Sequence, residues 1–234
     1  MLLFYTDTNA LQGSNMLATL LTHPKVTQVA TYTRRSVPSS QDPDRKLQAY
    51  ESTETSSWPT KLQSTSPPPT IFFSGLGTTR GQAGSLEKQR LIDYDLNLSM
   101  ARAASAAGTR VYVLVSTGMA SASSAFPYTR MKGELEDAVR ELDFEKVVIL
   151  RPGLIVGARE DSRPPEAAFR WIARALGALN QKYLKDTWAQ DASVIARAGV
   201  KAGMMCVEGT APEGKTWVLD QGDIVRLGGT EWKE

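Results

Sequence analysis

Apolar residues along this chain fall into short unbroken runs that alternate with segments of helical spacing. Leu2-Leu3-Phe4-Tyr5-Thr6 is a short run of buried-strand character. Leu11, Met16, Leu17, Leu20 and Leu21 then recur at helical spacing as far as His23-Pro24, which predicts an amphipathic helix. Val26–Thr33 and Ile71–Gly75 are further strand-like runs. Leu86–Ala107 predicts a long helix stopped by Gly108. A strand is expected over Val111–Ser116, and a helix over Pro127–Leu142 with Met131, Leu135, Ala138 and Val139 turned inward. Val147–Leu150 and Thr216–Leu219 read as strands, and Pro165–Leu179 and Asp191–Cys206 as helices. Strands alternating with helices predict an α/β fold, a single doubly wound parallel sheet of the Rossmann kind with helices on both faces.

Residues 36–70 break this rhythm. They are rich in Ser, Thr, Pro and Gln and end in Ser66-Pro67-Pro68-Pro69. Lys46–Tyr50 could form a minor edge strand, and the rest is expected to be a mobile surface excursion. The whole chain, 1–234, reads as one domain.

Composition narrows the function. A chain of 234 residues with a formal charge of +2 has no strong basic field, so nucleic acid is not an expected partner. One cysteine, Cys206, excludes an internal disulfide. One histidine and one cysteine exclude an ordinary zinc site, and no phosphate loop of the Walker type occurs. No apolar run reaches the ~18–20 residues that span a bilayer. The N-terminus carries no basic residue before Lys25, unlike a secretory signal or a mitochondrial presequence, so residues 1–24 are expected to belong to the fold.

Candidate chemistry centres on Tyr128 and Lys132. They stand four apart after Pro127, so both side chains lie on one helical face. An ammonium beside a phenol favours the phenolate and is expected to lower the Tyr128 pKa, making it a better proton donor near neutrality. Upstream, the strand Val111–Val115 runs into two hydroxyl residues, Ser116 and Thr117.

In a doubly wound sheet, a dinucleotide binds at the turn after the first strand. Here that turn is Thr6-Asp7-Thr8-Asn9-Ala10-Leu11-Gln12-Gly13. Thr8 and Gly13 are its candidate phosphate-side residues, although Asp7, Thr8 and Asn9 could equally cap the next helix. The second strand ends in Arg34-Arg35, where an NAD-selective site usually carries an acid. Two arginines there suit a 2′-phosphate and favour NADP(H) over NAD(H), against the plain reading of two solvated charges.

The chain resembles the atypical short-chain dehydrogenases. It is most similar to a fungal family of NAD(P)-binding proteins of the mitochondrial proteome, related to the animal Tat-interacting tumour-suppressor oxidoreductase. The resemblance rests on Ser74-Gly75-Leu76-Gly77-Thr78-Thr79-Arg80, Ile92-Asp93-Tyr94-Asp95-Leu96-Asn97, Val115-Ser116-Thr117-Gly118 and Tyr128-x-x-x-Lys132-Gly133-Glu134. It extends through Ile149-Leu150-Arg151-Pro152-Gly153-Leu154-Ile155 and Trp188-Ala189-Gln190-Asp191. It implies that Tyr128 is the general acid, that Lys132 tunes it and holds a nicotinamide ribose, and that Thr117 or Ser116 binds the substrate carbonyl. It implies further that Gly75, Leu76, Gly77 and Thr78 pass close to the cofactor, and that Pro152, Gly153 and Leu154 lie beside the nicotinamide. The chain departs from the family in its first turn, where Asp7 and Ala10 replace two glycines.

The expected function is therefore NADP(H)-dependent reduction of a small carbonyl compound, or oxidation of the matching alcohol. Two alternatives stand beside it: a non-catalytic nucleotide-fold scaffold with a degraded loop, and a cofactor-independent isomerase or cyclase that uses the Tyr/Lys pair. The resemblance also implies peripheral association with the cytosolic face of the mitochondrial outer membrane, with the cytoplasm as the other location.

Overall fold

The computed structural model describes residues 2–6, 11–34, 36–37, 42, 44–156 and 189–233. Seven parallel strands form its main sheet: β1 (Leu2–Thr6), β2 (Gln28–Thr33), β3 (Leu47–Glu51), β4 (Ile71–Ser74), β5 (Val111–Val115), β6 (Lys146–Leu150) and β9 (Thr216–Leu219). Their order is β3-β2-β1-β4-β5-β6-β9. The chain works outward from β1 to one edge, returns across it to β4, and then builds the other half. The reversal between β1 and β4 is where ligands lodge in open α/β sheets. A two-stranded parallel pair, β7 (Leu154–Val156) and β8 (Ala189–Asp191), stands apart from the main sheet.

Both faces of the sheet are buried, which explains the continuous apolar strands. Alternate residues of one strand enter different cores. Val111, Val113 and Val115 pack with Phe73 and with α1 (Leu11–Thr22) and α7 (Ala192–Glu208). Tyr112 and Leu114 pack on the opposite face with Phe72 and with α6 (Pro127–Arg140). The Tyr112 ring stacks between Phe72 and Phe144, at centroid distances of 5.6 and 4.9 Å.

Residues 36–70 contribute more than an excursion. β3 is a full edge strand paired to β2 along its length. A 3-10 turn, Thr55–Ser57, leads into α2 (Trp58–Gln63), whose Trp58 and Leu62 are fully buried beside Tyr32. Trp58 and Leu62 are four apart, so one helical turn brings both to the core.

The long helix predicted over 86–107 is interrupted. A short helix α3 (Arg80–Ala83) precedes it. Ser85 then caps α4 (Leu86–Arg90), accepting the Lys88 N–H. Leu91–Leu96 forms a π segment, and α5 (Asn97–Ala106) completes the run. After β9, α8 (Gln221–Val225) and a second π segment, Arg226–Thr230, pack on α7. The expected helix over 165–179 lies outside the described residues.

Candidate functional site

Every strand of the main sheet is parallel, so their C-terminal ends share one edge. There β4 gives way to Gly75–Thr78, β5 to Ser116–Thr117, and β6 to Arg151–Gly153. Backbone bonds bind these ends together: Ser116 donates its N–H to the Leu150 carbonyl at 2.8 Å, and Gly118 donates to Pro152 at 2.8 Å.

The Gly75–Thr78 turn is held from beneath by three polar residues at four-residue spacing, Gln89, Asp93 and Asn97. Asn97 Oδ1 accepts from the Ser74 hydroxyl at 2.6 Å and the Tyr112 hydroxyl at 3.2 Å, while its Nδ2 donates to the Leu76 carbonyl at 3.3 Å. Gln89 Nε2 donates to the Thr78 carbonyl at 3.0 Å and to Asp93 Oδ2 at 3.2 Å. The Thr78 N–H donates to Asp93 Oδ1 at 2.6 Å. Neither Gly75 nor Gly77 has a positive φ. A Cβ built on Gly77 would meet only Asp93 Oδ1, at an ordinary 3.8 Å. The protein's own packing therefore does not demand glycine at 77, whereas close approach of a ligand to the backbone would.

Pro127 opens α6, with Phe126 at the N-cap in extended conformation. One turn separates Tyr128 from Lys132, as the spacing predicts. Lys132 is only 4 % exposed, and its ammonium reaches the Val115 carbonyl at 3.5 Å. Burial lowers its pKa, against the opposing pull of Asp93 and Glu136. The Tyr128 side chain is 40 % exposed as a whole. Its hydroxyl is nonetheless pushed up to about 12, first by desolvation and then by the negative charge of Asp93. This corrects the sequence expectation of a depressed Tyr128 pKa. Desolvation, and then a carboxylate invisible to the Tyr/Lys spacing, raise the phenol, and Lys132 is itself weakened as a cation by burial.

Ser116 and Thr117 part company. Ser116 is buried, and its hydroxyl donates to Glu136 Oε1 at 2.6 Å. Glu136 is fully buried and also accepts from Arg151 Nε at 3.1 Å and Arg140 Nη2 at 3.0 Å. Ser116 thus belongs to a knot joining β5, α6 and the end of β6, and its hydroxyl proton is committed to Glu136. Thr117 is half-buried. The loop after it is pinned by Ser121 N–H to Thr129 carbonyl at 3.1 Å and by a Ser124–Thr129 hydroxyl bond of 2.6 Å. Gly133 lies beneath this loop, and a Cβ there would collide with the backbone at Ser121–Ala122.

The remaining expected residues divide. Gly13 is buried in the first turn of α1, inside the helix rather than in the turn before it. Arg34 is exposed directly after β2. Pro152 is buried and Gly153 half-buried at the end of β6, and Leu154 begins β7. Asp7, Thr8, Ala10 and Arg35 lie outside the described residues. Sequence reading singled out neither Asp93 nor Glu136 as a site residue. Each had a signal: Gln89, Asp93 and Asn97 form a polar stripe of period four on a buried helix, and Tyr128, Lys132, Glu136 and Arg140 form another. Among the described residues no cluster of His, Cys, Asp and Glu could hold a metal ion.

The profile of the family described as HIM1 matches residues 37–185. A protein named fmp52-1, mitochondrial, from Aspergillus terreus is 51 % identical over 218 residues, 92 % of this chain and 94 % of its own. The Neurospora crassa protein fmp-52, mitochondrial, is 45 % identical across 96 % of this chain and 93 % of its own. Among solved structures, UDP-glucose 4-epimerase from Bifidobacterium longum, in complex with NAD+ and UDP, superposes with a TM-score of 0.68 at 12 % identity, covering 94 % of this chain and 77 % of that one. The Bordetella bronchiseptica enzyme WbmG in complex with NAD gives 0.62 at 17 %, covering 98 % and 78 %. At such identities these two matches speak for the fold, and they agree with the parallel sheet flanked by helices.

Proposed function

We propose a function from a plain premise: this chain belongs to the HIM1 family, together with the fungal Fmp52 proteins. It acts as an NADP(H)-dependent reductase of a small carbonyl compound. The observation that most supports this is the placing of Tyr128 and buried Lys132 at the strand-end edge, with the open-faced Gly75–Thr78 turn at the same edge. The residues fit a dinucleotide. Gly75, Leu76, Gly77 and Thr78 offer close backbone approach, Gly13 close helix packing, and exposed Arg34 a partner for a 2′-phosphate. Pro152 and Gly153 lie one strand over from Thr117, where the nicotinamide end would rest. Similarity to structures named as NAD complexes supports a nicotinamide dinucleotide, and Arg34 supports the phosphorylated form.

The bound cofactor supplies hydride. The chain's own residues do the rest. Thr117 donates a hydrogen bond that orients the substrate carbonyl oxygen. Tyr128, protonated at neutral pH, gives its proton to that oxygen as the alcohol forms. Lys132 places positive charge at the cofactor ribose and near the tyrosinate left behind. Ser116 and Glu136 keep the strand end rigid beneath them. The relatives' mitochondrial names support a mitochondrial location, and a peripheral place on the cytosolic face of the outer membrane is the finer reading that the family resemblance suggests. No helix among the described residues is long and apolar enough to cross a membrane.

Tyr128→Phe tests the assignment. NADPH oxidation against a panel of small aldehydes and ketones should fall about 100-fold or more, with NADPH affinity unchanged. Equal turnover by the two proteins would remove Tyr128 from the chemistry.

A further inference from the structure

Asp93 is a charged residue where helix packing calls for an apolar one. It is 1 % exposed and lies on the π segment Leu91–Leu96, the single departure from α geometry between Leu86 and Ala106. π segments frequently mark functional sites. One carboxylate oxygen receives the Thr78 N–H at 2.6 Å, and the other receives Gln89 at 3.2 Å. Gln89 closes the figure by donating to the Thr78 carbonyl at 3.0 Å. Both backbone polar groups of Thr78 are thereby held by two side chains of one helix.

The same carboxylate acts across to α6. Its charge works on both Tyr128 and Lys132. Among the described residues, the other charges that α6 and the helix carrying Asp93 bring to this region have partners of their own. Glu136, from α6 itself, is held by Arg140 and Arg151. Arg90 pairs with Glu134 at 2.7 Å and lies over the Tyr94 ring. β5 supplies only the Val115 carbonyl to Lys132.

We propose that Asp93 is a positioning residue which, with Gln89, clamps the cofactor turn Gly75–Thr78 and carries a buried negative charge to the helix face that bears Tyr128 and Lys132. The proposal rests on the reductase reading for the meaning of the turn. The coupling itself does not depend on it. Asp93 adds to desolvation in opposing ionisation of Tyr128 and supports positive charge on Lys132, so the phenol keeps its proton until an oxyanion on the substrate draws it away. Thr78 movement on cofactor binding would be felt at Tyr128 through the shared carboxylate.

Asp93→Asn preserves size and an oxygen for the Thr78 N–H but removes the charge. Ultraviolet difference titration of cofactor-free protein, with Tyr128→Phe and the double variant as blanks, isolates the Tyr128 phenol. At about pH 10.5 the phenolate fraction at Tyr128 should be clearly higher in Asp93→Asn than in the wild type, because loss of the carboxylate charge lowers the phenol's pKa. A folded Asp93→Asn protein with an unmoved Tyr128 overturns the proposal. Gln89→Met reads the clamp independently. It leaves the charge in place and should weaken NADPH binding about fivefold, followed by tryptophan fluorescence, and unchanged affinity counts against the clamp. If wild-type protein fails to bind NADPH, the reductase reading falls, and the cofactor-free titration still decides the role of Asp93.

Discussion

At Lys132, burial and function pull in opposite directions. Desolvation is the largest influence on its ammonium and outweighs the attraction of Asp93 and Glu136, so its pKa falls below the ordinary 10.5. Between that lowered value and 10.5 the unfolded chain binds more protons than the folded one. The resulting cost is absent above pH 10.5 and fully present below the folded pKa. A buried cation kept at a stability cost is what a working site requires and a core does not. Lys132→Met should therefore melt at about 2–4 °C above the wild type at pH 7, a gain of about 1 kcal/mol, and lose NADPH-linked turnover. A lower melting temperature in the variant would mean that Lys132 is a structural ion-pair partner. Tyr128 has the complementary sign. With its pKa pushed up to about 12, its protonated form stabilises the fold below pH 10, and that contribution is lost as pH rises toward 12.

At the scale of elements, α6 shows what a sequence discloses and what it hides. The Tyr128–Lys132 spacing and Pro127 place the helix, its first turn and its functional face. Extending the period by one step reaches Glu136, and by another Arg140. The purpose of Glu136 emerges only when β5 and β6 bring Ser116 and Arg151 to it, because strand order is not written in any local pattern. The same holds for α4–α5. Periodicity finds the helix from 86 to 106 but not its π segment, where Asp93 receives the Thr78 N–H of the turn after β4. Residues 36–70 were harder still. The edge strand expected over Lys46–Tyr50 is found as β3, but the Ser, Thr and Pro content masks α2, although Trp58 and Leu62 carry the helical spacing that would have revealed the buried face.

Gly133 links element to site. Helix propensity alone would favour alanine there by about 1 kcal/mol. The loop after Thr117 crosses so close that a Cβ meets the backbone of Ser121 and Ala122. Gly133→Ala should therefore cost a net ~1–3 kcal/mol and shift the loop relative to Tyr128. Displacement of about 1 Å at a catalytic group lowers turnover about 100-fold, so the activity loss should exceed what the melting curve implies. Thermal melting alongside NADPH-linked turnover checks both.

For the molecule as a whole, seven parallel strands with a reversal between β1 and β4 fix where a ligand can lie, and the family match carries that fold through the Fmp52 proteins. The alternating strand and helix pattern was enough to derive the sheet, because parallel strands buried on both faces leave continuous apolar runs. The site was half legible. The one-turn separation of Tyr128 and Lys132 follows from spacing, and the exposed position of Arg34 from its place after the second strand. The charge balance around them depends on Asp93 and Glu136, which act across elements. We propose that this edge holds a phosphorylated nicotinamide dinucleotide. The most direct measurement is a titration of the purified chain with NADPH and NADH, following its five tryptophans. NADPH should bind with a dissociation constant on the order of micromolar, about tenfold tighter than NADH, and Arg34→Ala should erase the difference. If neither nucleotide binds at millimolar concentration, this edge is not a dinucleotide site.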